Sequence, residues 1–188
     1  NKNFIFSNEN IDKDLIQPAS MDLRLGFKAW RVPASFLPGK NNTVEEKLSE
    51  LAMHEFSLSE GAVLECGCVY IVKLLEGLNL PQNISGMANP KSSTGRLDVF
   101  TRLIVDRTQE FESVPKGYKG PLYLEISPRT FSVLVRTGTR LNQLRFRVGN
   151  FSINDKKMQE LQLKHHLVRD NDSFILSNKI ENGIPLSV

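Results

Sequence analysis

Apolar residues in this chain come in short continuous or alternating runs cut by Gly, Pro and Asn: Met21–Phe27, Ala62–Leu75, Ile84–Ala88, Arg102–Asp106, Leu122–Ile126, Phe131–Arg136 and Arg140–Val148. Runs of this length and period, bounded by turn formers, predict strands. Two stretches carry a helical period instead. Across Thr43–His54, Thr43 and Glu46 have the spacing of a capping box, and Val44, Leu48 and Leu51 share one face. Near the end, Asn154 or Asp155 can cap a helix running to about His166, with Met158, Leu161 and His165 on one side and Lys156, Lys157 and Glu160 on the other. No fixed-period repeat and no low-complexity segment interrupts this pattern. It predicts a mainly β fold, a sandwich, jelly roll or distorted barrel with one or two short helices, whose loops carry the function.

Composition narrows the setting. At 188 residues, with 40% hydrophobic and 24% charged positions, the chain has the make-up of a globular protein with one main domain. No apolar run approaches the ~18 residues that cross a bilayer, and residues 1–17 hold no apolar signal core, so no membrane is expected and the expected address is the cytoplasm. A net charge of +3 is too small for a general nucleic-acid or anionic-membrane surface, though it is compatible with a local anion site. Cys66 and Cys68 lie in a strand-like segment, about 6.6–6.8 Å apart at their Cα atoms, the outer edge of disulfide geometry. They read as buried fillers in a reducing compartment. The zinc-deaminase signature H-x-E followed by P-C-x-x-C is absent, because His54 is directly followed by Glu55 and the cysteines are spaced C-x-C. His165 and His166, about 100° apart on a helix, do not share a metal.

The loop Asn89-Pro90-Lys91-Ser92-Ser93-Thr94-Gly95-Arg96 brings candidate chemistry. Ser92 or Ser93 can N-cap a short turn containing Gly95 and Arg96, so that backbone N–H groups, hydroxyls and cations converge as a phosphate requires. A capped surface turn would have the same sequence.

Four segments together resemble one family. Ile16-Gln17-Pro18-Ala19-Ser20-Met21-Asp22-Leu23-Arg24-Leu25-Gly26 is similar to the first motif of dCTP deaminases. Pro90 to Leu97 resembles the R-S-S-x-x-R-L phosphate motif shared with trimeric dUTPases, and Gly120 to Ile126 the G-x-x-x-L-E strand that carries the deaminase glutamate. Gly138 to Phe146 resembles the G-x-x-I-x-Q-L-x-F core strand. The resemblance runs from about Ile16 to Val148 and implies a distorted β-barrel or jelly roll of the dUTPase-like type. It also implies a homotrimer or higher oligomer with active sites between subunits, dCTP or dUTP bound with Mg2+ through its triphosphate, and no zinc.

On this resemblance Glu125 is the group that shuttles protons from the attacking water to cytosine N3 and the departing amine, its burial in an apolar strand favouring the exchange. Without the resemblance it would read as a surface strand glutamate. Ser92 and Arg96 carry over onto positions that fix the water and stabilise the tetrahedral intermediate, and the Val105 carbonyl onto one that also holds the water. Lys91 stands where the family has Arg and keeps the charge without the bidentate fork, either on a phosphate or in solvent. Ser93 can offer a hydroxyl and an N–H to the triphosphate, Arg107 can face the nucleotide or a neighbouring subunit, and Tyr118 can lie against the sugar or the loop. Asp22 and Arg24 read as a buried structural pair, Gln143 as a core or interface hydrogen-bonder, and Trp30 as core or subunit contact.

The chain also departs from the family. Leu103-Ile104-Val105-Asp106 and Gly117-Tyr118-Lys119-Gly120 resemble the ends of the dUTPase motif G-V-I-D-x-x-Y-x-G, but lie too far apart, and the deaminase register puts Gln109 at the dUTPase aspartate. Thr108 to Lys116 is therefore an insertion, with Phe111 expected to pack down. A closing K-Y-x-x-Q-like tail is missing. The expected organisation is a dUTPase-like domain over 1–150 and a helix and extension over 151–188, which can serve as a linker if the chain is the first half of a longer two-domain deaminase. Beside dCTP deaminase stand two alternatives, a dUTP diphosphatase or bifunctional deaminase-diphosphatase, and a non-catalytic nucleotide-binding half-domain.

Overall fold

A computed structural model describes residues 4–149, 153–170, 173–174 and 180–184. The apolar stretches Ile175-Leu176 and Pro185–Val188 of the tail lie outside the described residues. The chain divides into two compact units, Asn1–Gly149 and Asn150–Val188.

The first unit begins with β1 (Ile5–Ser7), a 3-10 turn (Lys13–Leu15), β2 (Met21–Val32), α1 (Val44–Leu51), β3 (His54–Ser57), β4 (Ala62–Leu64) and β5 (Val69–Asn79). It continues with β6 (Ile84–Pro90), α2 (Ser92–Arg96), β7 (Val99–Val105), β8 (Ser113–Val114), β9 (Lys119–Pro128), β10 (Val133–Val135) and β11 (Arg140–Val148). The second unit holds α3 (Asp155–His165), β12 (Arg169–Asp170) and β13 (Ser173–Phe174). The mainly β expectation is met, with three α-helices among the described residues.

Strands run in the order β7-β9-β5-β2-β11-β6-β8, with β1 on β5, β3 on β2, and β4 paired with β10 in a separate ribbon. Glu112 draws the two ends of this sheet together, its N–H donating to the Leu103 carbonyl at 2.9 Å and its carbonyl accepting from Ala88 N–H at 2.7 Å. The result is a nearly closed barrel. β2 changes partners along its length, pairing with β11 over Met21–Arg24 and with β3 over Lys28–Arg31. The bend between falls at Gly26, where a Cβ would meet the Lys73 carbonyl oxygen at 2.4 Å, so no larger residue fits.

Two apolar cores follow from the alternation of side chains. Leu23, Leu25, Val72, Leu103, Val105, Leu122, Leu124, Ile126 and Leu144 fill the barrel, while Trp30, Val32, Ile71, Ile104 and Tyr123 face outward onto Val44 and Leu48 of α1. Because β9 is covered on both faces it reads as a continuous apolar run rather than an alternating one. Thr43 caps α1 as expected, with the reciprocal bonds of a capping box. The helix stops at Leu51, short of the expected His54, because His54–Ser57 pairs with β2.

Other expectations shift. The run Ala62–Leu75 is two strands, separated by a turn in which Gly67 has φ of +77°. Cys66 on that turn is exposed and Cys68 half-buried, both free thiols rather than buried fillers. Trp30 belongs to the outer core, and its indole N–H donates to the Glu55 carboxylate at 2.9 Å. In the second unit Asn154 caps α3 by accepting from Lys157 N–H at 2.9 Å, and the Asp155 carboxylate accepts from Asn182 and Gly183 N–H. Among the described residues no helix is long and apolar enough to cross a membrane.

Candidate active site

Glu125 lies on β9 between Leu124 and Ile126, which point into the barrel, so its carboxylate faces outward, on the side of Ile71 and Tyr123. It is 1% exposed, yet its surroundings are not apolar. Arg102, its direct cross-strand partner on β7, donates from Nε and Nη2 to Oε1 at 3.0 and 2.7 Å. Ser35, from the segment between β2 and α1, donates its hydroxyl to Oε2 at 2.6 Å. The Arg102 guanidinium also donates to Ser35 Oγ and stacks 3.6 Å from the Phe111 ring. Phe111 packs down as expected, against the outer core and onto this arginine.

The Ser-Ser-Thr-Gly-Arg turn forms α2, at the rim of the barrel. Lys91 occupies the N-cap position without a capping side-chain bond, so neither Ser92 nor Ser93 caps the turn. Ser92, Ser93 and Arg96 are exposed, and among the described residues their side chains have no hydrogen-bond or ion-pair partner. Ser93 lines a groove of about 370 Å³ with Leu97, Phe131, Leu134 and Arg140. Lys91, by contrast, has its ammonium on the Asp22 carboxylate. The expected Asp22–Arg24 pair is thus corrected. Arg24 instead binds Glu76, with Nε 2.7 Å from Oε1; alternation puts Asp22 and Arg24 on one face of β2, but Arg24 reaches sideways to β5 and Asp22 to Lys91 just past β6, so each meets its own partner.

The remaining candidates sit at the other end of β7. Val105 is buried in register with Leu122, three residues from Glu125 along β9. Arg107 is exposed beyond it, with φ of +56° and its N–H on the Asn42 carbonyl. Tyr118 is buried in the barrel core, its hydroxyl donating to the Pro121 carbonyl at 2.6 Å and accepting from Asp106 N–H at 3.3 Å. Burial pushes its phenol pKa up. Asp106 is half-buried and its carboxyl pKa is raised chiefly by burial. It accepts from the Val44 N–H at 2.8 Å and so serves as a second cap on α1.

Within one chain the structure brings Glu125, Arg102, Ser35 and Phe111 together, but not Ser92 or Arg96 with Glu125. Pro128, the residue opposite Val99 just past α2, is about 10 Å further along β9 than Glu125. Arg102 and Ser35 went unnoticed in the sequence. A lone arginine in an otherwise largely apolar and mostly buried strand is the signal for a carboxylate partner. The insertion from Thr108 to Lys116 hid the register that pairs it with Glu125. Ser35 carries no sequence signal. Among the described residues no group of three or more His, Cys, Asp or Glu side chains is placed to hold a metal ion.

The barrel, with these motifs on it, has the fold class of a nucleotide deaminase domain. Within that class, residues 1–150 match the family described as 2'-deoxycytidine 5'-triphosphate deaminase (DCD) N-terminal domain, and the chain belongs to that family. The crystal structure of 2'-deoxycytidine 5'-triphosphate deaminase from Agrobacterium tumefaciens superposes with a TM-score of 0.78 at 55% identity, over 87% of this chain and 49% of that one. The dUMP-forming dCTP deaminase of Corynebacterium glutamicum (strain R) is 33% identical over 122 residues, 63% of this chain and 59% of that protein. The dCTP deaminase of Haemophilus ducreyi is 29% identical over 119 residues, 60% of this chain and 58% of that protein. The chain therefore spans about half to three fifths of the length of these relatives.

Proposed function

We propose that this chain carries out the hydrolytic deamination of dCTP, in which water adds at C4 of the cytosine ring, ammonia leaves and dUTP is formed. The observation that carries the reading is Glu125, a buried carboxylate on the strand where the family motif has its glutamate, with Oε1 held by Arg102 and Oε2 directed at a hydroxyl. In this reading Oε2 takes a proton from the water and passes it to N3 as the oxygen bonds to C4, then takes the second proton from the C4 hydroxyl and gives it to the amine, which leaves as ammonia. Ser92 and Arg96 on the exposed turn hold the water and the developing oxyanion, and Ser93 a phosphate oxygen. Lys91 contributes less, since Asp22 already engages its ammonium. Tyr118 acts by shaping the loop, its hydroxyl being bonded to the backbone, and Arg107 serves the nucleotide or a neighbouring subunit. The Val105 carbonyl is carried over from the family as a further holder of the water.

A homotrimer or larger assembly supports this division of labour. Arg96 and Arg107 flank β7, about 20 Å long, so groups from more than one chain complete a site for one nucleotide. Mg2+ enters with the triphosphate as part of the substrate, zinc takes no part, and the cytoplasm, where deoxynucleotides are made, is the setting.

The dUMP-forming relatives favour a second reading, deamination followed by release of pyrophosphate. Gln109 at the position of the dUTPase aspartate and the use of Asp106 as a helix cap weigh against it. Incubation with Mg2+ and, separately, dCTP and dUTP, with chromatography of nucleotides and assay of ammonia and pyrophosphate, tests both. Ammonia and dUTP are expected from dCTP, with a loss of at least ~100-fold in Glu125→Gln. Pyrophosphate and dUMP would establish the second reading. Nucleotide-dependent stabilisation without product would make the chain a binding half-domain.

A further inference from the structure

A carboxylate acting as general base needs a water donating to one of its oxygens from about 2.6–3.2 Å. In Glu125, Oε1 is filled by the two Arg102 N–H groups, and the guanidinium is itself clamped between Phe111 and Phe100, 3.6 and 4.9 Å from their rings. Only Oε2 is left for a reacting water, and the Ser35 hydroxyl donates to it at 2.6 Å. Glu125 is buried and Ser35 exposed, so this hydroxyl stands between the carboxylate and solvent.

We propose that Ser35 Oγ occupies the seat of the reacting water on Glu125, so that this contact keeps the site closed until Ser35 turns away. The proposal rests on the reading of Glu125 as the deaminase base. A serine O–H donating to Oε2 reproduces the bond that a water poised for deprotonation makes, with an oxygen in the same place. The bond from Arg102 to Ser35 Oγ fixes the hydroxyl in this blocking orientation. When Ser35 leaves, Arg102 keeps Oε1, and the carboxylate retains its aim.

The surrounding chain permits this exchange at Ser35 alone. Pro33, Ala34 and Ser35 are exposed, whereas the residues after them are anchored. Phe36 and Leu37 pack on the outer core, Gly39 N–H donates to the Thr108 carbonyl and the Asn42 carbonyl accepts from Arg107 N–H, both at 3.0 Å. Rotation of an exposed serine side chain takes picoseconds to nanoseconds and needs no movement of this anchored stretch.

Crystal structures and dCTP turnover of Ser35→Ala and Ser35→Thr test the proposal. Ser35→Ala is expected to place an ordered water within about 3.2 Å of Oε2, the ordinary hydrogen-bond limit, and to raise kcat/KM roughly two- to tenfold, the equivalent of one hydrogen bond that water no longer displaces. Ser35→Thr keeps the hydroxyl and is expected to match the wild type. A Ser35→Ala protein with no water on Oε2, or one no faster than an active wild type, overturns the block. A water on Oε2 of Ser35→Ala with no turnover by any form, wild type included, sustains the seat and removes the deaminase reading instead.

Discussion

Glu112 shows how one residue can serve the backbone at a cost to its side chain. Its φ of +63° lets its N–H and carbonyl bridge β7 and β6, and the same geometry carries the carboxyl inward, where Oε2 has no hydrogen-bond partner. Burial pushes its pKa up from 4.5 to about 7, against a smaller lowering by the Leu103 backbone, Asn142 and Arg102. The folded chain therefore holds a proton that the unfolded chain has released between those two values, so stability falls as pH rises from 4.5 to about 7 and levels off above. Thermal unfolding from pH 5 to 8 is expected to show this fall, and Glu112→Gln to remove it and melt a few degrees higher than wild type at pH 8. Little of this was legible beforehand. Glu112 lies in a stretch readable only as an insertion, and an acid in a loop carries no sign that the loop will close a barrel. Asp22 and Lys91 are a similar case: both belong to recognisable motifs, but which cation meets Asp22 depends on β11 lying between β2 and β6.

Elements were legible where local chemistry and tertiary packing agree. The capping box of α1 follows from Thr43 and Glu46 alone, and Thr43→Ala is expected to cost about 1 kcal/mol in denaturant unfolding. That cost should sit at the low end, since Asp106 still caps Val44 N–H. Strand ends were less legible. The helix gives way before His54 because β2 offers a free edge there, and Ala62–Leu75 breaks at Gly67, where a positive φ turns the chain. Both outcomes depend on partners distant in sequence.

For the whole molecule, the separation of α2 from Glu125 has a measurable consequence. If chains share sites, specific deaminase activity should fall on dilution in step with loss of the assembly, and light scattering should report about three times 21.3 kDa where activity is full. Constant specific activity of a monomer would show that one chain holds a complete site. The motifs located Glu125 and the α2 turn, because each needs a local sequence: an apolar strand with one acid, and small hydroxyl residues before Gly and Arg.

Sequence by itself determined the β-rich class, the caps of α1 and α3 and the motifs of the family, and it singled out Glu125 as the candidate base, all from residues near one another in the chain. The tertiary structure alone decided what that base touches. Arg102 reaches Glu125 through antiparallel register across a hairpin lengthened by an insertion, and Ser35 reaches it from a loop ninety positions away. Cross-strand register and loop docking are set by the packing of the whole barrel, and so the closed state of the site appears only in three dimensions.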